Sequence, residues 1–334
     1  MTAPLWHGLA VGLVVLIGFA SHRASLCTVR AVAEVLQRQP PVLLASFAGA
    51  ALWTAAVSGL LALVSPFAPP ALQVREPVAW ALAGGLAFGI GAAVNGGCSL
   101  STLQRLADGD RSMWVTLGGV ALGLLGWNVA ESAFGAAGNV ASVASPWSTM
   151  GAAGGAMLAL LSAWCVYQLA RVRARIPTRA ALRALLTAPS YPPWLAAALL
   201  GIAGAVLYTV EGAWSYTNYL RSSAAALVGH ASGPDLFHGL LLGALLAGMW
   251  LSARTRARLA PPPGDWRRWR GRLAGGILMG VGSALVPGGN DTLILGTVPA
   301  LSATAILAYA ALVAGVALGL VLQQALVRGP AIDR

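Results

Sequence analysis

The chain contains no lysine: all 21 basic residues are arginine, set against 10 acidic ones. Charged residues make up only 9% of the 334 and hydrophobic ones 57%, so no water-soluble surface can be built from this sequence. Cysteine is sparse as well. Cys27, Cys98 and Cys165 lie far apart, with no Cys-x-x-Cys and no Cys/His ligand spacing, which removes zinc and disulfide frameworks from consideration. His22, His230 and His238 have no ligand partner at i+3 or i+4, so neither metal nor other cofactor is expected. Gly-x-Ser-x-Gly elbows, phosphate loops and zinc-protease helices are all missing, and an enzyme reading has no residues to rest on.

What is present is a polytopic membrane protein. Mean hydropathy is +0.74, and apolar runs recur along the whole chain. The net charge of +11 invites a nucleic-acid partner, but most arginines sit in two inter-helix loops, 171–193 and 254–272, which is a topology signal. The partner implied is the lipid bilayer. Tryptophans such as Trp80, Trp114, Trp147, Trp194 and Trp250 fall at span ends and read as interfacial anchors.

In order, 5–20 is a first span with no basic segment ahead of it, so a cleaved signal peptide is not expected. The stretch 21–38, with His22, Arg23, Arg30, Glu34 and Arg38, is too polar to cross and reads as a half-helix that dips in and returns. Spans follow at 41–64, 78–94, 113–134 and 150–170, with a Pro-rich turn at 65–77 and a second half-helix at 98–107. After the first basic loop come a span at 194–210, a re-entrant segment at 214–230 and a span at 236–252. The second basic loop leads to a span at 273–286, a fourth half-helix at 290–296 and a last span at 301–327. The fold class is therefore all-α, with about nine transmembrane helices and four re-entrant half-helices.

One phrase occurs twice. Residues 83–104 read AGGLAFGIGAAVNGGCSLSTLQ, and 274–293 read AGGILMGVGSALVPGGNDTL, with Gly84, Gly85, Gly89 and Gly91 echoed by Gly275, Gly276, Gly280 and Gly282. Reading Pro287 as one inserted residue puts Gly96, Gly97 and Cys98 opposite Gly288, Gly289 and Asn290. A hydrophobic helix broken at a Gly pair in matching places of two halves points to a transporter's binding site. Residues 1–135 are expected to form the first repeat, 136–192 a connecting span with its basic loop, and 193–334 the second repeat. An odd connector between two even units makes the repeats inverted. The nine-span count puts 19 of the 21 arginines on one side, leaving only Arg75 and Arg221 on the other; the crowded side is the cytoplasm.

A half-helix that starts at membrane depth aims unpaired N–H groups and a positive dipole end at the midplane, which suits an anion. Cys27, Cys98 with Ser99 beside it, Asn290 and the two Gly pairs are the candidate path residues. Arg23 either steers anions or snorkels at a span end. Asp291 either caps the amides of its own half-helix or carries a coupling proton or cation. Cys165 lies inside a continuous span and reads as packing. Glu131 and Glu211, near outer span ends, read as touching headgroups or water.

Arg23-Ala24-Ser25-Leu26-Cys27-Thr28, the Gly96-Gly97-Cys98 phrase running into Leu103-Gln104-Arg105-Leu106-Ala107-Asp108-Gly109, and the second Gly-Gly motif resemble the YeeE/YedE family of bacterial sulfur-transport membrane proteins over essentially the whole chain. The resemblance implies an inner-membrane permease importing thiosulfate through an hourglass-shaped protein with three cysteines along the path. Cys27 and Cys98 match two of those, and Asn290 stands at the third. It also implies a small cytoplasmic sulfurtransferase or sulfur-carrier partner. Alternatives left open are a permease for another small ion or solute and a sulfur relay carrying a cysteine persulfide. The topology is testable: a fluorescent protein fused after Arg334 is expected to fluoresce, because the C-terminus is expected inside, and an inserted but dark fusion would reverse the assignment.

Overall fold

The computed structural model describes residues 3–64, 72–134, 140–143, 147, 151–176, 178–212, 214–229, 233–256 and 268–328. The first half contains α1 (Ala3–Arg23), α2 (Thr28–Leu36), α3 (Val42–Ala62), β1 (Leu72–Arg75), α4 (Val78–Asn95), α5 (Ser99–Ala107) and α6 (Met113–Phe134). Then come β2 (Val140–Val143), α7 (Ala152–Arg175) and the short amphipathic α8 (Arg179–Thr187). The second half contains α9 (Pro193–Glu211), α10 (Tyr216–Leu227), α11 (Leu236–Thr255), α12 (Trp269–Leu285), α13 (Asn290–Thr292) with a π turn at Leu293–Thr297, and α14 (Ala303–Arg328). The protein is an all-α, multi-pass membrane protein.

Eight helical stretches among the described residues are long and apolar enough to cross a membrane. The ninth expected span is α12, which at 17 residues is short of the ~20 that a bilayer requires. It sits between α4 and α6, where neighbours cover its backbone. Two further differences from the sequence reading have local causes. Helix α1 runs on through His22 and Arg23 because both are buried against partners from elsewhere in the chain, so the half-helix α2 starts only after Cys27. The turn expected at 65–77 falls partly outside the described residues, and its end forms β1, which pairs antiparallel with β2.

The main helix contacts come in matched sets. Helix α4 packs on α14 as α12 packs on α6; α3 packs on α9 as α11 packs on α1; α2 meets α14 as α10 meets α6. Helices α4 and α12 meet each other, as do α1 and α9. Glycine makes the central crossing possible. A Cβ at Gly91 would collide with the Gly275 carbonyl and one at Gly275 with that of Gly91; Gly84 and Gly282 stand in the same reciprocal relation.

The same pairing corrects the register through Pro287. Gly97 N–H donates to the Ala92 carbonyl and Gly288 N–H to that of Ser283. Thr102 N–H donates to the Cys98 carbonyl and Leu293 N–H to that of Gly289. Through this motif the two halves thus keep one offset of 191 residues (84 to 275, 97 to 288) with no insertion. Cys98 is matched by Gly289, Ser99 by Asn290, Leu100 by Asp291 and Ser101 by Thr292. The two Gly-Gly pairs pulled the sequence reading one residue out of phase.

Outside the path, Cys165 packs on Trp53 and Ala56. Glu131, 25% exposed, also has a partner inside the protein: it accepts from the Arg75 guanidinium at 2.8 Å, and Arg75 donates to the Ala284 carbonyl at 3.3 Å. Close backbone approach gives a stability test. Gly280→Val would drive a side chain into the Val120 carbonyl and is expected to cost about 3 kcal/mol or more. Gly126→Ala, which meets open space, should leave the thermal midpoint level or raised. Midpoints of the detergent-purified variants check the pair.

Candidate functional site

Cys27 and Cys98 occupy the N-cap positions of α2 and α5, both in extended backbone, so each sulfur sits where a half-helix presents unpaired amides. Gly96, at φ 76°, ends α4 in the left-handed conformation that lets the chain turn directly into Cys98. The two thiols share a hydrogen bond in which either can donate, and Ser101 lies beside Cys27. The Cys27 sulfur lies against the backbone amides of Cys98 and Arg30, and the Cys98 sulfur against those of Thr28 and Ser101. Each sulfur therefore meets an amide from its own half-helix and one from the start of the other.

Two cavities approach this pair from opposite ends of α11. The nearer, about 280 Å³, is lined by Cys27, Gly96, Ser101, Arg30, Arg105 and Arg256 among others, and Arg256 follows the C-terminus of α11. The farther, about 50 Å³, is largely apolar and is lined by Leu100, Tyr208, Trp214, Tyr216, Asn290 and Asp291 among others. Trp214 donates its indole N–H to the His238 carbonyl at the start of α11. Cys98, 1% exposed, separates the two cavities: Gly96 and Ser101 beside it face one, Leu100 the other.

Among the described residues, Tyr309 Oη, Asn290 Oδ1 and Thr28 Oγ1 around this closure are buried without a hydrogen-bond partner, and the Ser99 and Tyr216 hydroxyls have only each other. Tyr216 and Tyr309 both lie close to Cys98. Leaving such groups unpaired costs roughly 1–3 kcal/mol each, and functional sites are where native proteins keep them.

In the second half the half-helix starts are tied by oxygen atoms. Ser215 Oγ and Thr292 Oγ1 are 2.5 Å apart, and Thr217 Oγ1 accepts from Gly289 N–H at 2.9 Å. Asp291 accepts from the Thr217 hydroxyl at 2.5 Å and the Thr217 N–H at 3.4 Å. It thus reaches the first turn of α10 while also facing its own amide and that of Thr292. Asp291 is not the N-cap of α13, which is Gly289, but the second residue within it.

Arg23 is the candidate that the structure leaves apart from the thiols. Its guanidinium donates to the Ala188 carbonyl and to Thr255 Oγ1, each at 2.6 Å, and stacks over Phe19. Arg30, Arg105 and Arg256 line the near cavity instead. Sequence reasoning placed Tyr216 only in a re-entrant segment, and Tyr309 lies in an apolar helix with no signal of its own. The Ser215-Tyr216-Thr217 start was readable as the counterpart of Cys27-Thr28.

The wall of the near cavity is fixed by ion pairs. His22 shares hydrogen bonds with Asp108 and Ser252, each at 3.0 Å. Asp110 pairs with Arg105 at 2.8 Å and faces Arg272 at 3.6 Å.

Helices broken at membrane depth, with two cavities closing on them from opposite sides, define a membrane transporter. The sulphur transport family's profile matches residues 23–318, and the chain belongs to that family. It is therefore a sulphur-transport membrane protein. No curated protein matches the chain significantly.

Asp110 provides a pH test. Burial alone would push its carboxyl up, but the Ser112 hydroxyl and the Arg105 and Arg272 guanidiniums outweigh that and hold it below its ordinary value. A depressed acid stabilises the fold above its unfolded pKa of about 4 and loses that contribution as pH falls through the folded value. Asp110→Asn is expected to lower the thermal midpoint at pH 7, and the gap to the native chain should shrink progressively below about pH 4.

Proposed function

We propose that this protein is a bacterial inner-membrane permease that passes thiosulfate, or a closely related small sulfur anion, into the cytoplasm. The observation that carries the reading is Cys98: buried between two cavities that enter from opposite ends, and sharing a hydrogen bond with the Cys27 thiol of the inner one. Two repeats of opposite orientation, 1–135 and 193–334, joined by the connector 136–192, supply the half-helix starts. The matched helix contacts support that arrangement.

The chemistry follows from the donors. An anion arriving from the far cavity meets Asn290 and the hydroxyls of Tyr216 and Ser99, then the amides at the starts of α2 and α5. These amides offer backbone N–H groups, and a helix start favours negative charge; the Gly96-Gly97 turn, whose own N–H groups are tied to Ala93 and Ala92, only aims them. A neutral S–H is a weak donor that contacts a soft, polarisable sulfur anion without holding it, and conduction needs binding loose enough to release. Beyond the thiols, the arginines of the near cavity draw the ion inward. Gly288 and Gly289 hold the oxygen-tied start on the other side, where Asn290 can donate its amide N–H. Removal of the ion by a small sulfurtransferase or sulfur carrier at the arginine-rich face belongs to the same proposal, on the strength of the family resemblance.

Labelled thiosulfate uptake, in cells lacking their own importers, tests this. Cys98→Ala is expected to cut uptake by about tenfold or more, the equivalent of one hydrogen bond to a charged group. Cys165→Ala should leave it unchanged and Asn290→Cys should retain it. An inserted native chain that takes up no thiosulfate would rule out the substrate.

A further inference from the structure

Asp291 is a carboxylate where the fold does not call for one. Its counterpart at the 191-residue offset is Leu100, and both side chains line the far cavity. The same backbone position is thus filled by an apolar residue in one half and by an acid in the other. Burying a carboxylate is expensive unless it is paired, and an acid inside a membrane protein marks a functional site. Asp291 is 8% exposed. Its hydrogen-bond donors are the Thr217 hydroxyl and N–H, with its own and the Thr292 amides beside it. No cationic side chain pairs with it among the described salt bridges.

The surroundings bear on a proton. Tyr208 and Tyr216 are the other titratable side chains lining the cavity, from α9 and α10. Cys98 and Tyr309 lie across the closure, from α5 and α14. From α1 and α3 the cavity receives only Ile17 and Phe47. Glu211, with His7, His238 and Asp235 near it, adjoins Gly212 of the cavity wall. Tyr216 stands between Asp291 on one side and Cys98 on the other, with its hydroxyl directed at that of Ser99.

We infer that Asp291 carries a proton inward with the anion, making the permease a proton symporter. The inference rests on the thiosulfate reading. From the far cavity a proton adds to the Asp291 carboxylate, and this removes the negative charge that would repel a dianion at the same place. The proton then leaves through Tyr216 Oη, Ser99 Oγ, Cys98 Sγ and Cys27 Sγ to the near cavity. Each of these groups accepts one proton and releases its own, so the carboxylate is regenerated and no net charge stays on the relay.

The test uses native protein in liposomes with a trapped pH-sensitive dye, potassium and valinomycin clamping the potential, and labelled thiosulfate outside. The expected result is internal acidification that follows anion entry and an entry rate that rises as external pH falls. In Asp291→Asn, whose amide oxygen still accepts from Thr217, labelled exchange should persist while the dye signal and the pH dependence disappear. Anion entry into native vesicles with no dye change would overturn the coupling and leave the permease reading intact. A native protein that exchanges no thiosulfate at all would overturn both.

Discussion

Backbone-to-backbone contact between α4 and α12 is the constraint on which the rest of the molecule depends. Lipid tails are as apolar as leucine side chains, so helices in a bilayer associate by close packing, and small residues make the approach possible. Gly84, Gly91, Gly275 and Gly282 allow these two helices to cross with no side chain between them. Both helices then break just past the crossing, at Asn95 and at Leu285. The two helices run antiparallel, so the breaks fall at opposite ends of the contact, Asn95 beside Gly275 and Leu285 beside Gly84, and α5 and α13 turn back to meet each other.

The two halves use this geometry for different chemistry. In the first, the paired starts are Cys27 and Cys98, weak donors that leave surrounding oxygens unpaired. In the second, Ser215, Thr217, Asp291 and Thr292 hold one another at 2.5 to 3.4 Å. One side of the closure is loosely bonded and the other firmly tied.

Much of this was legible in the sequence, because glycine spacing in an apolar run has few other uses. The half-helices at Cys98, Tyr216 and Asn290 and the grouping of the spans could be read directly. The register through Pro287 could not, since Gly96-Gly97 and Gly288-Gly289 offer two alignments one residue apart, and only the hydrogen bonds of Gly97 and Gly288 choose between them. His22 and Arg23 read as part of the half-helix rather than of the first span because their partners, Asp108, Ser252 and Thr255, are distant in the chain. Tyr309 was invisible for the opposite reason: an aromatic residue in an apolar helix reads as packing until the fold shows what stands beside it. The role of the Arg75–Glu131 pair likewise depended on seeing β1 laid against its neighbours.

The pairing of helices across the halves bears on how the chain is made. Helices α1, α3, α4 and α6 all find their main partners among α9, α11, α12 and α14, so the first half emerging from the ribosome has nothing to close its glycine-lined grooves. Those grooves close in turn as α9, α11, α12 and finally α14 are made. A chain truncated within α14 would leave α4 packed on α12 with its other long face uncovered.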